Sequence, residues 1–495
     1  MSKYKVGIDL GTSNTVCCSF NNNFEFIKIK RGYILPSVLM YKDGEIKVGD
    51  AAKQRVIRYP DNVISSSKTY MGDFDKVWEI ADRKFTPTDV ASEILKEINK
   101  AAKKHFNTEE TIQAVITVPA YFTSSQTDET RKAATNAGFE VIRIITEPMA
   151  AAIAYGLDES KENIFVVDIG GGTFDLCLLS LSKTEENEKK FSTVHIDGDS
   201  KLGGDDFDKV IQDMCYSYLR TQYAIDFSSL TNSGLMEEEY NQAKQKIKQK
   251  AEQAKVALSD ALETDIDIAN LYTKNDVPVN FRYTVTREAF EKASMPLFNK
   301  MKRIVTRFMD NAEIETNDID KIILVGGSAN IPYIRQFICE YFGKEPFADK
   351  DLAKLVAMGA AIYASKNDTL VSTKLIIEDI LSHSLGIEVK GERFSPILNA
   401  GEKYPIARTQ VYETVYDYQK CVNINVYEGE CKENIHNNTF YGGFVLDNIR
   451  QGVAGVPIQV NFEMHEDRTL HITAWDESTG ARETKTITIN KGKRV

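Results

Sequence analysis

Two short glycine-rich segments decide the fold: residues 8–15 read IDLGTSNT, and residues 167–175 read VDIGGGTFD. Each places an Asp after an apolar run and continues into a Gly/Thr turn. Such a turn offers backbone N–H groups with no Cβ in the way, and the Asp can bind a hydrated Mg²⁺. One turn of this kind is also typical of an ordinary tight hairpin. Two with the same layout favour a pair that holds a polyphosphate from both sides.

A third glycine-containing segment lies further along the chain, where residues 322–332 read IILVGGSANIP. The apolar run predicts a buried strand, and Pro332 predicts the start of a helix. By itself this pattern is typical of any strand-to-helix loop. Together with the two Asp-containing turns, it predicts a bare backbone surface for the base and ribose of a nucleotide.

Composition limits the classes of protein that the chain can belong to. It has 495 residues, which predicts two or more domains, and a net charge of −11, which disfavours a nucleic-acid partner. No apolar stretch reaches the roughly 18 residues that a membrane helix needs, so no membrane partner is expected. Seven cysteines without a Cys-x-x-Cys pair, and a start without a signal peptide, predict a cytoplasmic location.

The chain changes character after about residue 370. Before that point strand-like and helix-like stretches alternate, which predicts an α/β domain over residues 1–370, with a long amphipathic helix at 235–258. From residue 384 to 495 apolar residues recur with a period of two, which predicts a β-sandwich. Residues 371–383 are the predicted linker.

The predicted linker is unusually apolar, since residues 372–379 read STKLIIED. Two interpretations remain open. The segment is either a plain first strand of the β domain, or a segment that docks on the α/β domain in one state and leaves it in another.

Further motifs complete a pattern that covers nearly the whole chain: VPAYF at 118–122, TEPMAAAIAYG at 146–156, LGGDDFD at 202–208, SLGIE at 384–388 and VYEGE at 426–430. With the three glycine segments, they make the chain resemble the 70-kDa heat-shock protein (DnaK-type) chaperone family. The resemblance implies an α/β actin-like (ribonuclease H-like) two-lobed ATPase domain followed by an all-β sandwich that binds peptides.

The resemblance also implies a cofactor and a set of site residues. The cofactor is ATP or ADP with Mg²⁺, and K⁺ is a further ion to test. The implied catalytic residues are Asp9, Lys68, Glu147, Asp168 and Thr173, of which Asp9 and Asp168 hold Mg²⁺ through water. The implied nucleotide-binding residues are Gly11, Thr12, Ser13, Asn14, Gly170, Gly171, Gly172, Gly203, Gly204, Glu252, Lys255, Ser259, Gly326, Gly327 and Ser328. Phosphoryl transfer to water depends on neutralising and positioning charge more than on a strong base.

For the β domain the resemblance implies extended apolar peptides as partners, and a J-domain co-chaperone and a nucleotide-exchange factor as further partners. The implied peptide-binding residues are Ile387, Lys390, Tyr412, Val415, Val422 and Ile424. Core packing remains the alternative for the apolar residues of this set, because any sandwich has alternating apolar positions. Lys390 places a charge over the channel and predicts a preference for peptides that tolerate or offer an acidic group.

Several positions depart from the family pattern. Val256 and Asn330 stand where two arginines flank the adenine, which predicts a loss of roughly 0.5–2 kcal/mol of base binding for each. Thr127 replaces a relay arginine, and the end at Val495 predicts the absence of a helical lid. The leading hypothesis is an ATP-dependent chaperone. The alternatives are a nucleotide-switched binding protein for one dedicated partner and a small-molecule kinase, which would leave the β domain unexplained.

Overall fold

The structure is a computed structural model that describes residues 4–30, 32–156, 162–186, 188–274, 276–347, 352–366 and 375–486. The predicted domain boundary at 370, the first part of the predicted linker (371–374) and the last residues of the predicted β domain (487–495) lie outside this range. Within the described part, no helix is both long enough and apolar enough to cross a membrane.

The described part of the first 155 residues contains one large sheet with helices packed on it and two small sheets. The strands of the large sheet run in the order β11-β10-β1-β2-β3, with β4 also paired to β2, and the small sheets are β6-β5-β7 and β8-β9. The strands are β1 Lys5–Leu10, β2 Asn14–Asn21, β3 Asn23–Phe26, β4 Ile34–Pro36, β5 Leu39–Lys42, β6 Glu45–Val48, β7 Val63–Ile64, β8 Trp78–Ile80, β9 Arg83–Phe85, β10 Ile112–Val118 and β11 Phe139–Thr146. The helices are α1 Asp50–Lys53, α2 Pro87–Phe106, α3 Ser124–Asn136 and α4 Glu147–Tyr155.

A second large sheet follows, in which β17, β12, β13 and β14 are neighbours in that order. Its segment of the chain contains β12 Glu162–Ile169, β13 Phe174–Lys183, β14 Lys189–Asp199, β15 Glu263–Lys274, β16 Val277–Thr286 and β17 Lys321–Val325. The helices are α5 Gly204–Gln222, α6 Leu230–Ser233, α7 Glu237–Asp260, α8 Arg287–Ala293, α9 Met295–Ala312, α10 Pro332–Phe342 and α11 Leu352–Ser365. The mixed α/β character with several sheets is thereby confirmed.

The two large sheets share a local arrangement. In the first, β1 and β2 form an antiparallel hairpin and β10 lies parallel to β1. In the second, β12 and β13 form the hairpin and β17 lies parallel to β12. Each hairpin therefore ends in one of the two Asp-containing turns identified from the sequence.

Helices α4 and α11 connect the two sheets through very close packing. A Cβ on Gly359 of α11 would overlap the backbone of Ala150 in α4, and a Cβ on Gly7 of β1 would overlap Ala361 of α11. Small residues at this contact, among them Ala150 and Ala361, are fully buried. The helices can approach this closely only because the side chains at the contact are small or absent, and larger residues there would overpack it.

The C-terminal part consists of two antiparallel four-stranded sheets packed face to face, in the orders β20-β19-β23-β24 and β22-β25-β26-β27. This segment of the chain contains β18 Leu375–Ile380, β19 Leu385–Val389, β20 Arg393–Leu398, β21 Lys403–Tyr404, β22 Ile406–Glu413, β23 Cys421–Glu428, β24 Thr439–Asp447, β25 Pro457–Met464, β26 Leu470–Trp475 and β27 Arg482–Thr486. Of these, β18 and β21 lie outside the two four-stranded sheets. The buried side chains of both sheets form one core, which includes Ile424, Val460 and Phe462.

Strand β18, which begins the described part of the predicted linker (375–383), belongs to the second large sheet. It pairs in parallel with β14, with Leu375 opposite Lys189, and in antiparallel with β21, with Asp379 opposite Tyr404. Leu375 and Ile380 are buried in the cluster that also contains α4 and α11. In this structure the segment is docked on the α/β domain, and its departure in another state stays a prediction.

Candidate nucleotide site

The two Asp-containing turns lie against each other. The N–H of Gly11 donates to the carbonyl oxygen of Asn14 at 3.0 Å, and the N–H of Gly170 donates to that of Thr173 at 3.0 Å, so both hairpins close in the same way. A Cβ on Gly171 would collide with Ser13 Oγ across the gap. A larger residue at position 171 would therefore require the Ser13 side chain to move.

The LGGDDFD segment and the third glycine segment are fixed to the second turn. Gly204 N–H donates to the carbonyl oxygen of Gly170 at 2.9 Å, and Asp205 N–H donates to that of Gly171 at 2.7 Å. Ser328 Oγ reaches the Gly170 carbonyl oxygen at 3.2 Å. Gly326 has a φ of +83°, and a Cβ there would overlap Ile169 O. These contacts bring four glycine-containing segments to one place.

Between the two large sheets lies a cavity of about 310 Å³. Most of the site residues predicted from the sequence line it: Asp9, Gly11, Thr12, Ser13, Asn14, Lys68, Glu147, Asp168, Gly170, Gly171, Thr173, Glu252, Lys255, Gly326, Gly327 and Ser328. The walls also include residues that the sequence reasoning missed, among them Lys53, Ser66, Asp205 and Asp208. The two aspartates lie inside the quoted LGGDDFD motif, which was the available signal.

Four predicted residues do not line this cavity. A Cβ on Gly203 would come within 2.6 Å of Gly172 Cα, and Gly204 donates to the second turn, so these three glycines pack behind the wall. Ser259 lines a neighbouring cavity of about 660 Å³ at the end of α7, which also contains Val256 and Asn330. Arg287 and Arg335 line this second cavity as well, so guanidinium groups are present beside the two substituted positions.

A buried ion pair lies at the bottom of the main cavity. Lys68 Nζ donates to Glu147 Oε1 at 2.6 Å, and both side chains are buried. Lys68 belongs to a 3₁₀ helix, Ser67–Tyr70. Glu147 is the first residue of α4, where Thr146 caps the helix through the N–H of Met149. A carboxylate at this position also interacts favourably with the helix dipole.

More carboxylates surround this pair than its single ammonium can balance. Burial, and then the charge of Glu147, raises the pKa of Asp9 to about 7, while Lys68 and the hydroxyl of Thr117 act in the opposite direction. Burial and the charges of Glu147, Asp175 and Asp9 raise the pKa of Asp168 well above its usual range. Carboxylate oxygens with uncompensated charge are the donor set that a hydrated Mg²⁺ requires, so these residues fit the metal.

The opposite wall comes from α7. Lys255 Nζ lies 2.9 Å from Asp208 Oδ1 and donates to the carbonyl oxygen of Gly204 at 2.9 Å. Glu252 Oε1 pairs with Lys53 Nζ of α1 at 3.1 Å, which links α1 to α7 over the cavity. Both partners of this second pair are substantially exposed, so it contributes little to stability.

Comparison with known proteins agrees with this geometry. The family model described as Hsp70 protein matches residues 5–79 and 74–494. The chain is 36% identical over 495 residues to the chaperone protein DnaK of Thermosipho melanesiensis, covering 98% of this chain and 80% of that protein. The chain belongs to the Hsp70 family. It is a DnaK-type chaperone and an ATP-hydrolysing enzyme, and the dedicated-switch alternative is not favoured.

A second relative supports the same assignment, since the DnaK chaperone of Thermotoga petrophila is 36% identical over 497 residues, with the same shares of both chains. Hsp70 proteins bind ATP or ADP with Mg²⁺ and act on substrate peptides together with co-chaperones. The roles of individual residues in this chain remain proposals.

The predicted peptide-binding residues of this Hsp70 chain fall into two groups. Ile387 and Ile424 are buried in the sandwich core, as the packing alternative expected. Val422 and Tyr412 are partly buried against that core, and the Tyr412 hydroxyl lies 3.1 Å from Ser395 Oγ. Val415 is half-buried and Lys390 is exposed. Lys390 and Val415, the two positions predicted to lie over the channel, are therefore more accessible than Ile387 and Ile424.

We expect Lys68→Ala to lower the single-turnover rate of ATP hydrolysis by at least about 100-fold, because it removes a buried cation next to the phosphate-binding turns. ATP should still bind, since the glycine turns and the α7 wall are unchanged. Rapid-quench hydrolysis and equilibrium ATP binding measure the two effects. Lys84→Ala is the matched control, because Lys84 is exposed and pairs only with the exposed Glu79 in the described contacts. Hydrolysis at the parent rate in Lys68→Ala would contradict the assignment.

Proposed function

We propose that this Hsp70 chain binds ATP and Mg²⁺ in the main cavity and uses them to control how its β-sandwich binds extended apolar peptides. The observation that carries the proposal is the position of β18. It is a strand of the same sheet as the second phosphate-binding turn, and it also pairs with β21 beside the sandwich. The first turn and the Lys68–Glu147 pair lie opposite this sheet across the cavity.

The residues of the cavity take complementary roles in the proposed hydrolysis. Asp9 and Asp168 would hold a hydrated Mg²⁺ by accepting hydrogen bonds from its water ligands, and the ion would supply positive charge that neutralises the phosphates. Lys68 offsets the negative charge that grows on the transferred group, and Glu147 orients the attacking water by accepting a hydrogen bond from it. Thr12, Ser13 and Thr173 donate hydroxyl hydrogen bonds to phosphate oxygens. Because the pair is buried, its charges act with little screening by solvent.

At the other end, the Gly326-Gly327 turn supports the base and ribose. Glu252 and Lys255 of α7 border this end of the cavity. Val256 is an exposed aliphatic residue and Asn330 donates to the carbonyl oxygen of Gly327, so neither offers a guanidinium to the base. Base binding is accordingly proposed to be weaker than it would be with an arginine at either position.

The signal between the cavity and the sandwich has a physical route through one packed cluster. Glu147 begins α4, and Ala150–Ile153 of that helix are buried together with Leu375 and Ile380 of β18. Changes in how Glu147 is held are thus transmitted to the strand through this shared buried cluster, in which α4 also packs closely on α11. Bound ATP stabilises this packing and therefore the docked position of β18. When ATP is lost, the undocked state is favoured.

A J-domain co-chaperone and a nucleotide-exchange factor are proposed partners, in keeping with the general use of co-chaperones by DnaK relatives. K⁺ binding and a cytoplasmic location stay predictions.

A labelled extended apolar peptide should dissociate at least about tenfold faster with ATP than with ADP, because ATP holds β18 on the sheet and loosens the sandwich. Ile377→Asp should reduce this difference, since Ile377 packs against the buried cluster. Ile376→Asp is the matched control, because the neighbouring residue of the strand points to the opposite face. Equal dissociation rates with ATP and ADP in the parent chain would contradict the proposed coupling.

Lys390→Met should shift peptide preference away from segments that carry an acidic residue, because it removes an exposed positive charge near the proposed channel. The measurement is the ratio of affinities for matched peptides with Glu or Gln at one position, in ADP. A change of about two- to fivefold in this ratio is expected for an exposed charge pair. Lys432→Met, which removes another exposed lysine of the β domain, serves as control. An unchanged ratio in Lys390→Met would rule out this role.

A further inference from the structure

The β-sandwich contacts the ATPase part directly at helix α3. The N–H of Ser124 donates to both carboxylate oxygens of Glu428, at 3.0 and 2.9 Å, and its hydroxyl donates to the same group at 3.2 Å. The hydroxyl of Tyr441 donates to Asp128 Oδ2 at 2.7 Å. Arg131 donates to the carbonyl oxygen of Asp467. Strands β23 and β24 and the β25–β26 turn all reach one helix.

The end of β18 meets the same region. Asp379 accepts hydrogen bonds from Thr193 Oγ1 of β14 at 2.8 Å and from the hydroxyl of Tyr404 of β21 at 2.9 Å. Ser382 Oγ donates to the carbonyl oxygen of Phe122, just before α3, at 2.9 Å. Helix α3, strand β18 and the sandwich therefore enclose a polar junction.

Arg468 lies inside this junction, although a residue of a hairpin turn is usually exposed. It sits between β25 and β26 with a φ of +67°, and only 8% of its surface is accessible. Its guanidinium carbon is 5.8 Å from the centre of the Tyr404 ring. Among the described residues, its Nη1 has no hydrogen-bond partner. A buried cation of this kind is costly unless nearby charges of opposite sign compensate it.

The compensating charges come from three separate segments. Burial acts to lower the pKa of Arg468, but Tyr404 and the carboxylates Asp379, Glu428 and Asp128 raise it. Asp128 belongs to α3, Asp379 to β18 and Glu428 to β23. These three carboxylates share one enclosed space only while the sandwich is docked on α3.

We propose that Arg468 is a positioning residue that holds the β-sandwich docked, because its buried guanidinium is the shared counter-charge of Asp128, Asp379 and Glu428. The inference rests on the proposed coupling of the two domains and adds the group on which docking depends. It acts on ATP hydrolysis and peptide binding only through the position of β18. Removing its charge takes away the cation that the three carboxylates share, although Asp128 keeps a second one, Arg131 of the same helix.

The same junction gives docking a pH dependence with a definite sign. Burial raises the pKa of Glu428 to about 7, and burial likewise raises the pKa of Asp128 to about 7. At these two carboxyl groups the docked state therefore binds more protons than the undocked one. Their contribution favours docking below about pH 7 and is lost as pH rises through about 7.

Other charged groups face this junction. Arg131 and Glu129 on α3 act on Asp128, Glu430 of the sandwich acts on His383, and Arg143 of β11 acts on Tyr404. Burial lowers the pKa of His383, so its protonation opposes docking at acidic pH. The pH dependence of docking is therefore best measured at pH values at or above the ordinary pKa of histidine.

Arg468→Gly removes the guanidinium together with the side chain and does not strain the backbone, because glycine adopts a positive φ. Hydrogen exchange at the amides of residues 375–380, in saturating ATP and Mg²⁺, reports docking of β18. In the parent chain these amides should be protected. At about pH 8 the variant should lose about tenfold or more of that protection, and at about pH 6.5 it should lose less, since protonated carboxyl groups need no counter-charge.

Two further variants separate the charge from other effects. Asn448→Gly also introduces a glycine, at an exposed residue with a φ of +59°, and should leave the protection of residues 375–380 unchanged. Arg468→Lys should restore part of the protection at about pH 8, because it returns a positive charge. Peptide affinity in ADP should be the same in the parent chain and in Arg468→Gly.

The outcomes distinguish the inference from the function on which it rests. Unprotected amides in the parent chain would refute the docking of β18, and with it both proposals. Protected amides that stay equally protected in Arg468→Gly at both pH values would refute only the role of Arg468. A loss of protection that is the same at both pH values, or that comes with reduced peptide affinity in ADP, would assign Arg468 to the stability of the sandwich and overturn the inference.

Discussion

The close approach of two glycine turns is the constraint on which this structure depends. A Cβ on Gly171 would meet the Oγ of Ser13 in the other turn, and a Cβ on Gly203 would overlap the backbone of Gly172. The residues of these turns line the cavity between the two large sheets. Asp9 and Asp168 then meet around Lys68 and Glu147, where burial makes each charge consequential. The site is therefore built by backbone proximity first, and its electrostatics follow.

Close packing of small residues also connects the cavity to the β domain. Helix α4 carries Glu147 at its start and contacts α11 through Ala150 and Gly359, where even one methyl group would overlap. Strand β18 buries Leu375 and Ile380 in that cluster. A tightly packed cluster switches between discrete arrangements more readily than it deforms. Docking of the β domain is thus linked to the residues that surround the phosphates.

The sequence predicted the local motifs well, because each glycine turn carries its own signal over a few residues. It missed Lys53 and Thr117, because these reach the site from distant segments through tertiary packing. The alternation of apolar and polar residues along the strands could not show whether Ile387 and Ile424 line a peptide pocket or fill the core, since a pocket and a core both need apolar residues. Arg468 gave no signal at all, because an arginine in a hairpin turn is ordinarily solvated.

The most direct test of the account is single-turnover ATP hydrolysis with and without a panel of unrelated extended apolar peptides. Several of them should accelerate hydrolysis, because β18 belongs to the same buried cluster as α4, the helix that begins with Glu147, so that occupancy of the sandwich changes how Glu147 is held. Hydrolysis that proceeds at one rate whatever peptide is present would contradict it.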